Sequence, residues 1–157
     1  MNAHVSYVRN TDEYQAVFEN GRVVGWNFVV INNLLKQLSA TAKITSPLAL
    51  GEFFNAGGWI FVLWNDNQII GIATLVPYPC LTELGGLIDD VVIDENFRGK
   101  GLSRTLLQHI IVVAKRSNMQ WLELTSRPSR VAANALYPKL GFRKRETNVY
   151  QLDLSGA

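Results

Sequence analysis

The sequence predicts an α/β (α+β) fold: one domain over residues 1–157, with about four to five helices on a mixed, mostly antiparallel, twisted sheet of about seven strands. Three observations point there. Two apolar runs, 59–64 and 69–76, flank the polar triplet Asn65-Asp66-Asn67 and read as a β-hairpin. Between the strand-like runs 87–93 and 121–125, residues 102–116 place apolar side chains at helical spacing, which makes a central strand-helix-strand crossover. The chain is 48% hydrophobic and only 18% charged, which supplies one core and is unlike a disordered segment.

Residues 4–9 alternate weakly as a first strand. Asn10 or Thr11 then caps a first helix, favoured by Asp12 and Glu13 in its opening turn and interrupted at Gly21 and Gly25. From 26 to 38, Phe28, Ile31, Leu34, Leu35 and Leu38 recur on one helical face. Ser46 caps a third helix through 54, with Pro47 at its first position, where a missing N–H does no harm. After the hairpin and the strand 87–93, Asp94-Glu95-Asn96-Phe97 leads into a glycine-containing segment. The helix 102–116 comes next, with Leu102, Leu106, Ile110 and Val113 in one stripe. Residues 131–140 read as helix despite Pro138 and end at Gly141. The runs 142–146 and 148–154 read as a last hairpin that closes the sheet.

Composition and charge exclude several classes. No apolar stretch approaches the roughly 18 uncharged residues of a membrane span, and the start lacks the layout of a signal peptide, so no membrane partner and a cytoplasmic location are expected. Cys80, alone in Pro77-Tyr78-Pro79-Cys80 and without a nearby histidine, reads as structural. With His4 and His109 it gives no metal-ligand spacing, and no metal is expected. The net charge of +2 hides a division. Residues 1–95 carry four basic and ten acidic side chains, whereas residues 96–157 carry eleven basic and three acidic ones. The second part attracts an anion. Its basic residues are not interleaved with aromatics, and no DNA-reading motif occurs, so no nucleic-acid partner is expected.

The chemistry concentrates where the strand 87–93 reaches Arg98-Gly99-Lys100-Gly101-Leu102-Ser103. A strand ending in a glycine turn at a helix start brings unpaired N–H groups and the helix dipole to a phosphate, and Arg98, Lys100 and Arg104 add positive charge. Taken alone, a Gly-x-Gly turn before a helix is common for steric reasons. Neither the dinucleotide fingerprint nor the Walker pattern is present.

In context the segment resembles the Gln/Arg-x-x-Gly-x-Gly/Ala signature of the GNAT superfamily of N-acetyltransferases, with Ser103 at the last position. Residues 88–97 resemble that family's fourth strand and the bend after it, and residues 132–142 its second coenzyme-contacting segment. The resemblance implies that the fourth and fifth strands splay and admit the pantetheine arm of acetyl-CoA. It implies that backbone groups of Val91, Val92 and Ile93 meet pantetheine and the acyl carbonyl. Amides of Arg98, Gly99, Lys100, Gly101, Leu102 and Ser103 would hold the pyrophosphate, Asn134 would contact the coenzyme, and Tyr137 would lie beside its sulfur. Tyr137 then suits the proton source for the departing thiolate, and an amide of Val91 or Val92 the oxyanion donor.

The base that takes the amine's proton is open among Asp89, Asp90, Glu83 and a water chain. Asp89 and Asp90, adjacent in a strand, are expected on opposite faces. The implied reaction is acetyl transfer to a primary amine of a small molecule or peptide by direct attack. A non-catalytic acyl-CoA-binding module on the same fold is the alternative. Trp59, Trp64 and Tyr78 are candidates for the acceptor pocket, with core packing expected for both tryptophans. The exposed run 150–154 leaves a homodimer open.

Overall fold

The computed structural model of the protein describes residues 2–10, 28–40, 42 and 46–154. The helix expected after Asn10 and the expected second-helix residue Trp26 lie outside them. The chain divides into two compact units, Met1–Thr125 and Ser126–Ala157.

The first unit holds the sheet. Its strands β1 (Ala3–Val8), β2 (Trp59–Asn65), β3 (Gln68–Pro79), β4 (Leu84–Ile93) and β5 (Trp121–Leu124) lie side by side in chain order. Among the described residues only β4 and β5 run parallel; the other three junctions are antiparallel. The β2–β3 hairpin closes on the pair Asn65 and Gln68, so Asp66 and Asn67 form a two-residue loop. Asp66 takes a φ of 51°, the left-handed conformation such a loop asks for and an aspartate tolerates.

Helices cover both faces. On one, α1 (Phe28–Leu38) and α2 (Pro47–Asn55) bury Ile31, Leu34, Leu35, Leu50 and Phe54 against Val8, Ile60, Val62, Trp64, Ile72 and Val92. The Ser46 hydroxyl accepts from the Ala49 amide at 3.1 Å and caps α2 as its sequence suggests. On the other, α3 (Leu102–Arg116) spans β1 to β4 and fully buries Leu106, Leu107 and Ile110. Each contributes about 1.5–3 kcal/mol by leaving water. The two faces use alternate residues of β2: Ile60, Val62 and Trp64 face α1 and α2, while Phe61 meets His109 of α3 edge-on at 6.1 Å. Both tryptophans pack. Trp64 is buried and donates to the Ser6 hydroxyl at 2.8 Å, and Trp59 stacks on Tyr7.

The β4–β5 junction sets the shape of this edge of the sheet. α3 connects the two strands as the expected crossover, but their parallel pairing covers only Gly85 to Ile88 against Trp121 to Leu124. Gly85 is required there, since a Cβ would stand 2.1 Å from Cε2 of the Trp121 indole. Beyond Ile88 the remainder of β4 pairs with β3 alone among the described residues. The sheet therefore opens on the β5 side from Asp89 onward.

The second unit corrects two expectations. The helix read over 131–140 is α4 (Val131–Leu136) followed by a 3₁₀ turn, Pro138–Leu140. Pro138 has no N–H and its ring crowds the carbonyl four residues back, which ends the α-helix. Gly141 closes the turn at a φ of 91°. The final hairpin, 142–146 with 148–154, is not formed, and the described residues hold five strands where about seven are expected. Those two runs leave Thr147 alone as a loop, whereas the tightest common hairpin needs two residues of turn-forming type. Arg143, Lys144 and Arg145 add like-charge repulsion in one of the two runs.

Candidate active site

The free edge of β4 begins at an irregularity. Ile72 pairs with Val92 and Thr74 with Asp89, so Asp90 and Val91 together stand opposite the single residue Ala73. This is a β-bulge, and it interrupts the alternation that would put Asp89 and Asp90 on opposite faces. Asp90 carries it at a φ of 53°. Its carboxylate accepts the hydroxyl of buried Thr74 at 3.1 Å, which pins the bulge to β3. Asp89 has a different environment. Partial burial, and then the neighbouring Asp90 charge, hold its carboxyl above the ordinary carboxylate range. Val92 and Ile93 bury their side chains, leaving only their backbone for a ligand.

Glu83 stands apart from these residues. It sits exposed in the β3–β4 turn, where its carbonyl accepts from the Cys80 amide at 2.8 Å. Five residues of strand, Leu84 to Ile88, separate it from Asp89, about 20 Å along the chain.

After Ile93 the chain turns sharply. The Asp94 carboxylate accepts the backbone and side-chain N–H groups of Asn96, both at 3.0 Å, and caps a 3₁₀ turn, Glu95–Phe97. Burial pushes the Asp94 carboxyl up, but bonds from Asn96 and Gln37 and the charge of Arg98 outweigh it and hold the group below its usual value. Gly99 and Gly101 come next at φ 77° and 76°, and a Cβ on either would meet nothing within 4 Å. Gly101 precedes α3 without any side-chain cap. The amides of Leu102 and Ser103 thus open the helix with its positive dipole end.

Arg98 and Lys100 are each engaged with neighbouring groups of the protein. Arg98 donates from Nε to the Ile93 carbonyl at 2.9 Å and from Nη2 to Gln37 Oε1 at 3.1 Å. Lys100 donates to the Asn96 carbonyl at 3.3 Å and lies 5.0 Å over the Phe97 ring. Both side chains stay exposed at the surface while making these bonds.

In the second unit, Asn134 donates to the carbonyls of Arg127 at 2.9 Å and Pro128 at 3.4 Å, tying α4 to the segment before it. Tyr137 ends α4 with its ring edge-on to Phe142 at 6.1 Å. Burial raises the phenol's pKa; Ser126 and the Arg130 charge pull against it, with Ser126 Oγ itself buried without a well-formed hydrogen bond. The phenol is therefore fully protonated near neutral pH. Among the described residues no group of three His, Cys, Asp or Glu side chains gathers to hold a metal ion. No described helix is long and apolar enough to cross a membrane.

The sequence profile of the acetyltransferase (GNAT) family matches residues 28–142. The chain belongs to the GNAT family. Glucosamine 6-phosphate N-acetyltransferase of Trypanosoma brucei brucei is 33% identical over 98 residues, 60% of this chain and 64% of that enzyme. The ribosomal protein bS18-alanine N-acetyltransferase of Escherichia coli K12 is 36% identical over 55 residues, 35% of this chain and 37% of that enzyme. The chain thus spans less than two thirds of the length of these curated GNAT relatives. The crystal structure of a Trypanosoma brucei acetyltransferase shares the fold, with a TM-score of 0.70 over 98% of this chain and 100% of that one at 22% identity.

The GNAT match spans residues 28–142, the stretch in which Glu83, Asp89 to Ile93, Arg98 to Ser103, Asn134 and Tyr137 lie. Within the first unit, Asp89, Asp90, Val91, Val92 and Ile93 form one continuous run that leads into Arg98–Ser103, and Glu83 lies away from it. Two residues of this region that the sequence does not advertise are Thr74 and Gln37. Thr74 hides in an apolar strand and Gln37 on the polar side of α1, and neither carries a motif.

Proposed function

We propose that the protein transfers the acetyl group of acetyl-CoA to a primary amine of a small molecule or peptide, by direct attack within a ternary complex. The observation that carries this reading is the unpaired edge of β4 beyond Ile88, running straight into an uncapped helix start behind two left-handed glycines with open space before them. An extended amide-bearing arm suits such a strand edge, and a pyrophosphate suits such a helix start. Backbone groups of Val91, Val92 and Ile93 take pantetheine and the acyl carbonyl, and amides of Arg98 to Ser103 take the pyrophosphate. Asn134 contacts the coenzyme, and residues 1–157 make one domain.

The reaction then balances. The neutral amine attacks the thioester carbon, and an amide of Val91 or Val92 stabilises the oxyanion. The nitrogen gives up a proton to a base, the carbon–sulfur bond breaks, and Tyr137 protonates the leaving sulfur. Among the carboxylates Asp89 is favoured as that base, directly or through one water. Its raised pKa moves it toward a working base, Asp90 is committed to Thr74, and Glu83 lies about 20 Å along the strand.

The acceptors named for similar proteins set the first panel to try: glucosamine 6-phosphate, aminoglycosides and a peptide with N-terminal alanine. Release of free thiol from acetyl-CoA on adding one of these amines is the expected result. Coenzyme binding without turnover on any amine would leave a non-catalytic binding module, and no coenzyme binding would refute the proposal. A cytoplasmic location is part of the proposal, and the lone exposed cysteine is compatible with a reducing compartment. Val149, Tyr150, Leu152 and Leu154 are each at least 75% exposed, and a homodimer through this segment completes the proposal. Light scattering of the intact chain and of Leu152→Asp tests that step, with equal masses refuting it.

A further inference from the structure

Gln37 lies 57 to 61 residues before its partners in sequence, yet its amide makes three hydrogen bonds to the turn after β4. Nε2 donates to Asp94 Oδ2 at 3.2 Å. Oε1 accepts the Glu95 backbone N–H at 2.9 Å and Arg98 Nη2 at 3.1 Å. The side chain therefore joins the residue that caps the 3₁₀ turn, the first residue inside it and the residue that leaves it. Arg98 in turn reaches back to the Ile93 carbonyl, and the Asp94 amide donates to the Ile70 carbonyl at 2.8 Å. The result is a closed polar loop: helix α1, the end of β4, the turn, and α1 again.

We infer that Gln37 is a positioning residue for the donor site, fixing the Asp94-to-Arg98 turn so that Gly99 and Gly101 present their backbone in one orientation. The inference rests on the reading that this turn holds the coenzyme's pyrophosphate. A left-handed glycine has no side chain to fix it, and neither Gly99 nor Gly101 would meet a neighbour even with a Cβ. Lys100, between the two glycines, holds the Asn96 carbonyl and the Phe97 ring, and the rest of the ordering comes from the flanks. On the α3 side it is the helix; on the β4 side it is the Gln37 clasp. A primary amide suits the post because it supplies one donor to a carboxylate and one acceptor shared by an N–H and a guanidinium. No charged residue of either sign satisfies all three.

The test compares the full-length wild type with Gln37→Met, which keeps the length and packing of the side chain and removes every polar bond. Calorimetry with coenzyme A should show affinity weakened about tenfold, the effect of losing a few partly exposed hydrogen bonds. Saturating acetyl-CoA should restore kcat to within about twofold, because the acyl end of the donor lies along β4 and not in the turn. S-acetylpantetheine, which lacks the pyrophosphate, should be used equally well by both proteins. An equal loss with that truncated donor would make Gln37 a general structural residue and overturn the inference. Unchanged coenzyme affinity in Gln37→Met, with the wild type binding, overturns it alone. Absence of binding by the wild type would overturn the donor-site reading and this inference with it.

Discussion

Replacing Thr74 by valine isolates the one contact that holds the β4 bulge. The shape is kept and a single bond is lost, a 3.1 Å hydrogen bond to the Asp90 carboxylate from the hydroxyl of a residue only 8% exposed. Bonds to charged groups contribute about 1.5–3 kcal/mol, and the lower half of that range applies because Asp90 is only half-buried. The methyl that replaces the hydroxyl returns about 0.8 kcal/mol. The net loss is about 1 kcal/mol, a fall in Tm of roughly 2–4 °C for a chain of this length. Turnover should suffer more than stability. Once released, Asp90 has no reason to hold a left-handed conformation, and displacement of Val91 by even about 1 Å can cost on the order of a hundredfold in rate. Asp90→Asn keeps an acceptor oxygen and tolerates the same φ, so it should lose less stability than Asp90→Ala. Urea unfolding of Thr74→Val, Asp90→Ala and the double variant, alongside thiol-release kinetics, measures the coupling. If the two single losses add to within about 0.5 kcal/mol, the bond does not hold the bulge and the reasoning fails.

Other outcomes come from the same geometry. Asp89 has a raised pKa in the folded chain, so folding favours its protonated form and ionisation near neutral pH costs stability. Asp89→Asn should therefore raise Tm at about pH 7, with the gain gone at about pH 3, where the wild-type group is protonated folded or unfolded; thermal scans at both pH values check this. The same variant should lower kcat, and Asp90→Asn should move the acid limb of the kcat profile to lower pH, because it removes the charge that helps raise Asp89. Gly101→Ala faces no clash but must sit at a φ of 76°, costing about 1–2 kcal/mol, and its methyl enters the space in front of the helix. Calorimetry should show coenzyme affinity reduced more than about thirtyfold, a larger loss than about 1–2 kcal/mol of strain alone gives. Tyr137→Phe should lower kcat by about 10²–10⁴-fold with coenzyme affinity nearly intact; a collapse of affinity instead would assign the ring a packing role.

Legibility in the sequence tracks how local the deciding physics is. Residues 102–116 are readable to the residue because Gly101 ends the turn and the apolar stripe has one period throughout. The β2–β3 hairpin is readable because Asn65-Asp66-Asn67 advertises its own turn. The bulge at Asp90 is not, since a hydroxyl 16 residues away fixes it and adjacent aspartates look like ordinary alternation. Arg98 and Lys100 read as charge for an anion, yet each gives a donor to a nearby backbone carbonyl and Arg98 a further one to Gln37, a choice set by side-chain geometry. The last hairpin misleads because alternation in 148–154 specifies a strand without specifying its partner.

The engagement of Arg98 and Lys100 with nearby groups bears on what this turn can tolerate over evolutionary time, if it holds the coenzyme as proposed. If main-chain amides do the recognition, inheritance needs to preserve a backbone path and little else. The two glycines, with their φ values of 77° and 76°, become the fixed letters, while Lys100 is free to drift. A saturation library across residues 98–103, selected for coenzyme retention, would return a nearly blank column at Lys100 between two invariant ones.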